Sequence, residues 1–285
     1  MRDRVTAKPL GDGRRLHLSD VALDVIVAID ASPGAVEAAH RAAADRFRTL
    51  SDELGAEAGL LRQLAEPGGT ALAGAIARRM WRAVRPFAAD RPVRPIDAAG
   101  GAIAEEVLAA AMAAATLDRV AVIIGGDVAL HLSPGFGFRA GLAGGVAGDE
   151  IFATADIRPG DMVRGVAVGG RHARRRSPGI ADAVTVFAQT AAKAAAASSV
   201  IADAIDLPDH PAIVRAPVQA VGPLSLEEID EALARGRAVA EGCLRRGLIA
   251  AAVLNTGGET LFVGPIAPTY LSTEPARTGR EGARG

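Results

Sequence analysis

The chain carries one cysteine, Cys243, which excludes an internal disulfide and a cysteine-rich zinc site. Aromatic residues are scarce too, at 3% with one Trp and one Tyr. A core here must be built from Ala, Val, Leu and Ile, and so few rings cannot supply the stacking platforms of a single-strand nucleic-acid binder. Neither charge sign is in excess. The 32 Lys and Arg face 33 Asp and Glu for a net charge of −1, so no global field draws the chain to nucleic acid or anionic lipid. The opening M-R-D-R-V-T-A-K-P-L has no apolar stretch of the kind a secretory signal needs. Long hydrophobic runs are missing: Glu105, Glu106, Lys193 and Asp203 interrupt the Ala-rich stretches, and none reads as a membrane span. H-E-x-x-H and G-x-S-x-G do not occur. The histidines (His17, His40, His131, His172, His210) show no ligand spacing, which speaks against metal-dependent and serine hydrolases. These absences lead to the expectation of a cytoplasmic protein with no nucleic acid and no membrane as partner.

What is present is ample apolar material, 49% of 285 residues, enough for one large core. Val21 to Ile29 alternates as a strand. Ser32-Pro33 starts a helix, Ser as N-cap and Pro at the first position, with Val36, Ala39, Ala43, Phe47, Leu50 and Leu54 on one stripe. Gly68-Gly69-Thr70 opens a helix carrying Ile76, Met80 and Val84, and Gly100-Gly101 leads one over about 102–115. Strand-like runs follow at Val120 to Leu132, Glu150 to Ala155, Asp161 to Val168 and Ala183 to Ala188. Thr190 is placed to cap a helix over 191–205, and Ser225 with Glu228 forms a capping box. Leu248 to Leu254, the Asn255-Thr256-Gly257-Gly258 turn and Thr260 to Val263 read as a hairpin. The mixture predicts an α+β fold, a mostly antiparallel sheet covered by helices, in a single domain over 1–271. The Arg/Gly/Glu-rich tail over 272–285 is expected to be disordered.

Val120 to Leu132 is the most informative stretch. A strand-like run drives into Gly125-Gly126-Asp127 and then resumes alternation. The segment reads either as a tight turn whose Asp caps local amides, or as a backbone a ligand can approach while Asp127 accepts from a ring N–H or a ribose hydroxyl. Gly135 to Gly141 nearly spells a dinucleotide fingerprint but has one residue too many and opens no helix, so a hairpin is expected there. Arg174, Arg175 and Arg176, followed by Ser177-Pro178-Gly179, form either a solvated loop or a phosphate clamp. Glu105 and Glu106 lie early in their helix, where negative charge is favourable.

In this order, A-G-G-A-I-A-E-E at Ala99 to Glu106, V-A-V-I-I-G-G-D-V-A-L at Val120 to Leu130, G-I-A-D-A-V-T-V-F-A at Gly179 to Ala188 and the Ala-rich helix after it resemble the ApbE superfamily of FAD:protein FMN transferases, in particular its short cytoplasmic branch. Leu23-Asp24-Val25 and R-M-W-R-A-V-R-P-F at Arg79 to Phe87 add to the resemblance, which spans about residues 16 to 265. It implies an ApbE-like, T-fold-like α+β architecture. It also implies FAD or FMN near Gly125, Gly126 and Asp127, with Arg174, Arg175, Arg176, Ser177, Gly179 and Thr185 completing the cofactor site. Magnesium bridges the pyrophosphate in the enzymes of the superfamily, and FMN passes to a Thr of an acceptor protein.

The chain departs from that pattern at three places. The family's A-D-A-x-A-T reads Ala194-Ala195-Ala196-Ala197-Ser198-Ser199, so Ala195 replaces a metal-binding Asp and Ser199 a Thr. Alanine offers no oxygen to a hard cation, so no metal ligand is assigned. The Lys that follows G-A-I-A in the transferases is Glu105, a reversal of sign. Ile123 and Ile124 precede Gly-Gly-Asp where Asn-type residues are usual. Two readings stand. One is a divergent FMN transferase with Ser199 and Glu105 in the catalytic roles. The other is a non-catalytic cofactor-binding or accessory protein, with a pterin of a one-carbon or methanopterin-type pathway as alternative ligand. Close-packing Ala-rich helices leave a homo-oligomer as a third, structural role.

Overall fold

The structure, a computed structural model, describes residues 5–21, 23–69, 71–144, 151–171, 173, 177–215 and 219–270. Arg174, Arg175, Arg176 and the tail over 272–285 lie outside the described residues. In chain order the elements are β1 (Thr6–Pro9), β2 (Arg15–Ser19), β3 (Asp24–Asp30), α1 (Pro33–Ala56), α2 (Ala58–Leu61), α3 (Ala75–Val84), α4 (Ala99–Ala114), β4 (Arg119–Ile124), β5 (Asp127–Leu132), β6 (Phe138–Ala143), β7 (Ile151–Ile157), β8 (Gly165–Gly169), β9 (Ala183–Ala188), α5 (Ala191–Ala204), β10 (Ile213–Val214), β11 (Ala220–Val221), α6 (Leu226–Arg245), β12 (Ala251–Thr256), β13 (Glu259–Val263) and β14 (Thr269–Tyr270).

Alternating hydrophobicity sets the architecture. One parity of the central strands (Val25, Val27 and Ile29; Val120, Val122 and Ile124; Val184, Val186 and Ala188) packs under the helices. The other parity (Ala121, Leu130, Val166, Phe187, Val253) meets a smaller sheet on the opposite side. The large sheet has nine strands in the order β1-β2-β3-β4-β5-β8-β9-β12-β13, and the small sheet runs β14-β7-β6. Every neighbouring pair in the large sheet is antiparallel. The fold is therefore the α+β arrangement the sequence implies, an antiparallel sheet with helices on one face. Among the described residues no helix is long and apolar enough to cross a membrane.

Local chemistry moves several boundaries. The first central strand begins at Asp24 rather than Val21. Val21 is 93% exposed, in a turn where Asp20 accepts the Leu23 N–H through its side chain at 2.8 Å and donates its own N–H to Leu23 O at 2.9 Å. The run at Asp161 to Val168 is strand only from Gly165, because Arg158 to Asp161 form a closed turn. No hairpin forms at Gly135 to Gly141. β5 already has β4 and β8 on its edges, so β6 leaves for the small sheet and pairs with β7. The helix expected to open at Gly68 starts at Ala75, with Gly74 as its cap. The capping box of α6 forms as expected, with Ser225 N donating to Glu228 at 2.7 Å and Glu228 N to Ser225 Oγ at 3.3 Å.

Alanine and glycine let the helix layer lie unusually close to the sheet. A Cβ on Gly165 of β8 would run into the backbone of Thr190 and Ala191, and one on Gly101 of α4 into the Ala191 carbonyl. Backbone cannot yield as a flexible side chain does. Gly165→Ala should therefore lower unfolding stability by about 3 kcal/mol or more in urea titrations, whereas Gly59→Ala, with open space around it, should change it by less than about 1 kcal/mol. His40 of α1 carries a second expectation. Its Nε2 is buried without a partner, and burial holds its pKa below the ordinary 6.5. The unfolded chain thus binds the proton more readily, so this contribution to stability is present above the unfolded value and is lost as pH falls through it toward the folded value. Urea midpoints measured between pH 7 and 5 should fall less steeply for His40→Asn than for the parent.

Candidate functional site

The Gly125-Gly126 pair is the two-residue turn between β4 and β5, where Ile124 faces Asp127. Gly125 has φ +57°, the left-handed value a II′ hairpin demands at its first central position. Gly126 is required for a different reason: a Cβ there would lie 2.8 Å from the Cβ of Val168 on β8. Asp127 shares the parity of Ala129 and so points to the helix layer. Its Oδ2 occupies the space a Cβ of Gly100 would need, at the first turn of α4. The turn thus delivers a carboxylate to the positive end of a helix whose N-cap, Ala98, has no side-chain cap of its own.

Glu105, one turn further along α4, is bound from both sides. Its Oε1 accepts the Ala192 N–H of α5 at 2.7 Å, and its Oε2 accepts Arg79 Nη1 at 2.6 Å. Arg79 also binds Glu106, at 2.9 Å from Nε and 2.8 Å from Nη2. Glu106 in turn accepts Arg46 Nη2 at 2.9 Å, and Arg46 closes on Glu53 at 2.5 Å. The ladder ties α1, α3, α4 and α5 together. Burial alone would lower the pKa of Arg79, but Glu105 and Glu106 outweigh it and raise the guanidinium above its ordinary value. Arg46 holds the Glu53 carboxyl below the usual range.

On α5, Ala195 is 3% and Ser199 5% exposed. The Ser199 hydroxyl donates to the Ala195 carbonyl at 2.9 Å, and Ser198 donates to the same oxygen at 3.0 Å. With a methyl at 195 and a hydroxyl turned back onto its own helix, this segment does not fit a magnesium ion. Among the described residues, no three His, Cys, Asp or Glu side chains gather as a metal site. Ser199 is seven residues beyond Ala192, about 10 Å along the axis. Glu105 and Ser199 therefore stand at different levels of α5 and do not form an adjacent pair. Ser177 donates to Asp203 at 2.5 Å and accepts the Gly179 N–H at 3.0 Å. A Cβ on Gly179 would strike the carbonyls of Ala202 and Ile205, so Ser177 and Gly179 pack on the C-terminal end of α5.

Thr185 lies on the outer face of β9, between Val168 and Val253. It is fully buried, and its Oγ1 has no hydrogen-bond partner. Val168 is also the residue that crowds Gly126, so Thr185 and the Gly-Gly turn stand one side chain apart. Two residues of this end escaped the reading of motifs. Asp182, 1% exposed, accepts Arg171 Nε at 2.7 Å and the Gly257 N–H at 2.8 Å. Asn255 accepts the Thr260 hydroxyl at 2.5 Å. The signal for Asp182 was an acid inside the apolar run Ile180 to Val184. For Asn255 it was masked by a turn sequence that explains itself.

Charged caps on two helices, a glycine hairpin and an Ala-rich helix on an antiparallel sheet define the architecture of an α+β protein with its helices on one face of the sheet. The family model described as AbpE bacteria matches residues 7–262, and the chain belongs to that family, within the ApbE-like superfamily. No curated protein matches the chain. Three ApbE proteins are among the solved structures similar to it. The flavin transferase ApbE from Vibrio cholerae is 13% identical, with 91% of this chain and 98% of that one covered and a TM-score of 0.43. The ApbE protein from Thermotoga maritima is 14% identical, with 91% and 97% covered and a TM-score of 0.49. The flavinyl transferase ApbE of Pseudomonas stutzeri, in its apo form, is 16% identical, with 92% and 96% covered and a TM-score of 0.41.

The Glu105 ladder has a measurable consequence. Glu105→Ala strands the half-buried Arg79 and the Ala192 N–H and should cost about 2–3 kcal/mol. Glu105→Gln keeps an acceptor and should cost less. Glu105→Lys, which sets a second cation beside Arg79, should cost the most. Urea unfolding of the three variants gives the order.

Proposed function

We propose that this chain binds a flavin, FAD or FMN, or a similar nucleotide-type cofactor at the Gly125-Gly126-Asp127 end of the sheet. FMN transfer to a protein acceptor is the activity the superfamily suggests, and the residues here favour binding without the standard magnesium-dependent transfer. The observation that favours binding over standard transfer is the use of both helix N-termini at the site by the chain's own carboxylates. Asp127 lies at the first turn of α4, and Glu105 binds the Ala192 N–H of α5. A helix N-terminus is a ready anion site, and here a pyrophosphate would meet a carboxylate at each one. Arginine forks match phosphate oxygens, so Arg174, Arg175 and Arg176 are the assigned phosphate holders. Asp127 is assigned to orient a ring N–H or ribose hydroxyl, and the unpartnered Thr185 hydroxyl supports a polar group of a ligand approaching across Val168. With Ala195 in place of an acid, no step is assigned to a metal.

A divergent transferase is the second reading, favoured by the Ser198 and Ser199 hydroxyls that remain on α5. Purified protein mixed with FAD, magnesium and a Thr-containing acceptor separates the two. Binding alone predicts stoichiometric FAD and no AMP by chromatography, while AMP release with FMN covalently retained on the acceptor establishes transfer. Asp127→Ala should weaken flavin affinity by about tenfold, read by quenching of flavin fluorescence. Unchanged affinity would remove the Gly-Gly-Asp end as the site. A mass spectrum of whatever denaturation releases distinguishes a flavin from a pterin.

A further inference from the structure

The outer face of the large sheet holds a cavity of about 500 Å³ at the end of the strands opposite the Gly125–Asp127 turn. Its floor is hydrocarbon: Ile157, Val163, Phe187, Ala251 and Ile266. One wall follows from strand pairing. β14 covers only Ala153 and Thr154 of β7, and the chain before it, carrying Pro265 and Pro268, stands away from Ala155 to Ile157. Proline cannot donate to a ladder, so this edge stays open and the gap between the sheets persists.

The mouth is built and braced. Arg158 to Asp161 is a turn closed by Asp161 N–H on Arg158 O at 3.0 Å and by Arg158 N–H on Asp161 Oδ2 at 2.6 Å. Arg164 staples it, binding the carbonyls of Pro159 at 2.6 Å and Asp161 at 2.8 Å. Three charged side chains line the cavity, and two are already engaged. Asp156 is paired with Arg139 at 2.7 Å, and Asp161 holds the turn. Arg158 has no hydrogen bond or ion pair from its side chain among the described residues, and its charge adds to that of Arg139 in keeping Asp156 ionised. Met162, 70% exposed, is a flexible apolar flap at the rim.

We propose that this cavity binds a small carboxylate with an aromatic or branched aliphatic body, its hydrocarbon on the Phe187 floor and its carboxylate on the Arg158 guanidinium. The volume suits one such ligand, and a hydrocarbon floor with a guanidinium at its rim is the usual chemistry for recognising a small carboxylate. The site is independent of the flavin reading, since Phe187 near the end of β9 and Ala250 just before β12 lie at the opposite end of these paired strands from Asp182 and Asn255.

The probes are 8-anilinonaphthalene-1-sulfonate, its uncharged analogue N-phenyl-1-naphthylamine, and phenylacetate as competitor. The parent should show one saturable fluorescent site from which phenylacetate displaces the sulfonate. Arg158→Glu, a change at an exposed residue, should weaken the sulfonate by about tenfold or more and leave the uncharged analogue within about twofold. Ala250→Leu should fill the cavity and remove both probes, while Asp127→Ala should affect neither. No saturable binding, or sulfonate binding indifferent to Arg158→Glu, overturns the proposal. Flavin affinity should be unchanged in the Arg158 and Ala250 variants, so failure here and failure of the flavin reading are told apart.

Discussion

The carboxylate of Glu105 joins three helices at one point, and the helix layer is organised about it. One oxygen holds the first turn of α5, the other holds Arg79 of α3, and the residue itself belongs to α4. Such a group works only where the backbones are close enough for a short side chain to span them. Gly101 and Gly165 create that closeness, since a Cβ at either would collide with the start of α5. Small residues and a capping carboxylate are therefore one device. The glycines bring the helix end within reach, and the acid neutralises the positive pole that the approach would otherwise bury. Arg79 then keeps the acid itself from being an uncompensated charge.

The same device sets the charge beside the neighbouring Gly125–Asp127 turn. Phosphate groups favour helix N-termini because amides and dipole converge there. Asp127 and Glu105 already put negative charge at the two N-termini of this region. Glu105 is thus an anion that serves the fold, held between the Ala192 N–H and Arg79.

One sheet presents two unlike faces. Its helix face carries Asp127 and the α4 and α5 termini, and its outer face carries Thr185 at one end and the Phe187 cavity at the other. The period-two alternation of strands makes this economical, since neighbouring residues on β9, Val184 and Thr185, serve different layers. The small sheet exists because the outer face is as apolar as the inner one and must be covered. It covers that face incompletely where proline ends the pairing of β14.

Sequence alone determined the parts whose signals are local. The stripe of α1, the α6 capping box and the strand at Ala183 to Ala188 are written in neighbouring residues and form where expected, and the hairpin expected at Asn255 to Gly258 forms with its turn narrowed to Gly257-Gly258, Asn255 and Thr256 pairing as strand. The ordered motifs carried the family. Only tertiary structure decided that β6 leaves β5 for another sheet, because the vacancy on an edge depends on which distant strand arrives there first in space. It also decided the partners of the candidate site residues. Glu105 could be read as an acid near a helix start, but Arg79 lies 26 residues before it and Ala192 87 residues after it. Spacing along a chain encodes the face a side chain occupies, whereas the group it meets across a core is fixed only when the layers pack.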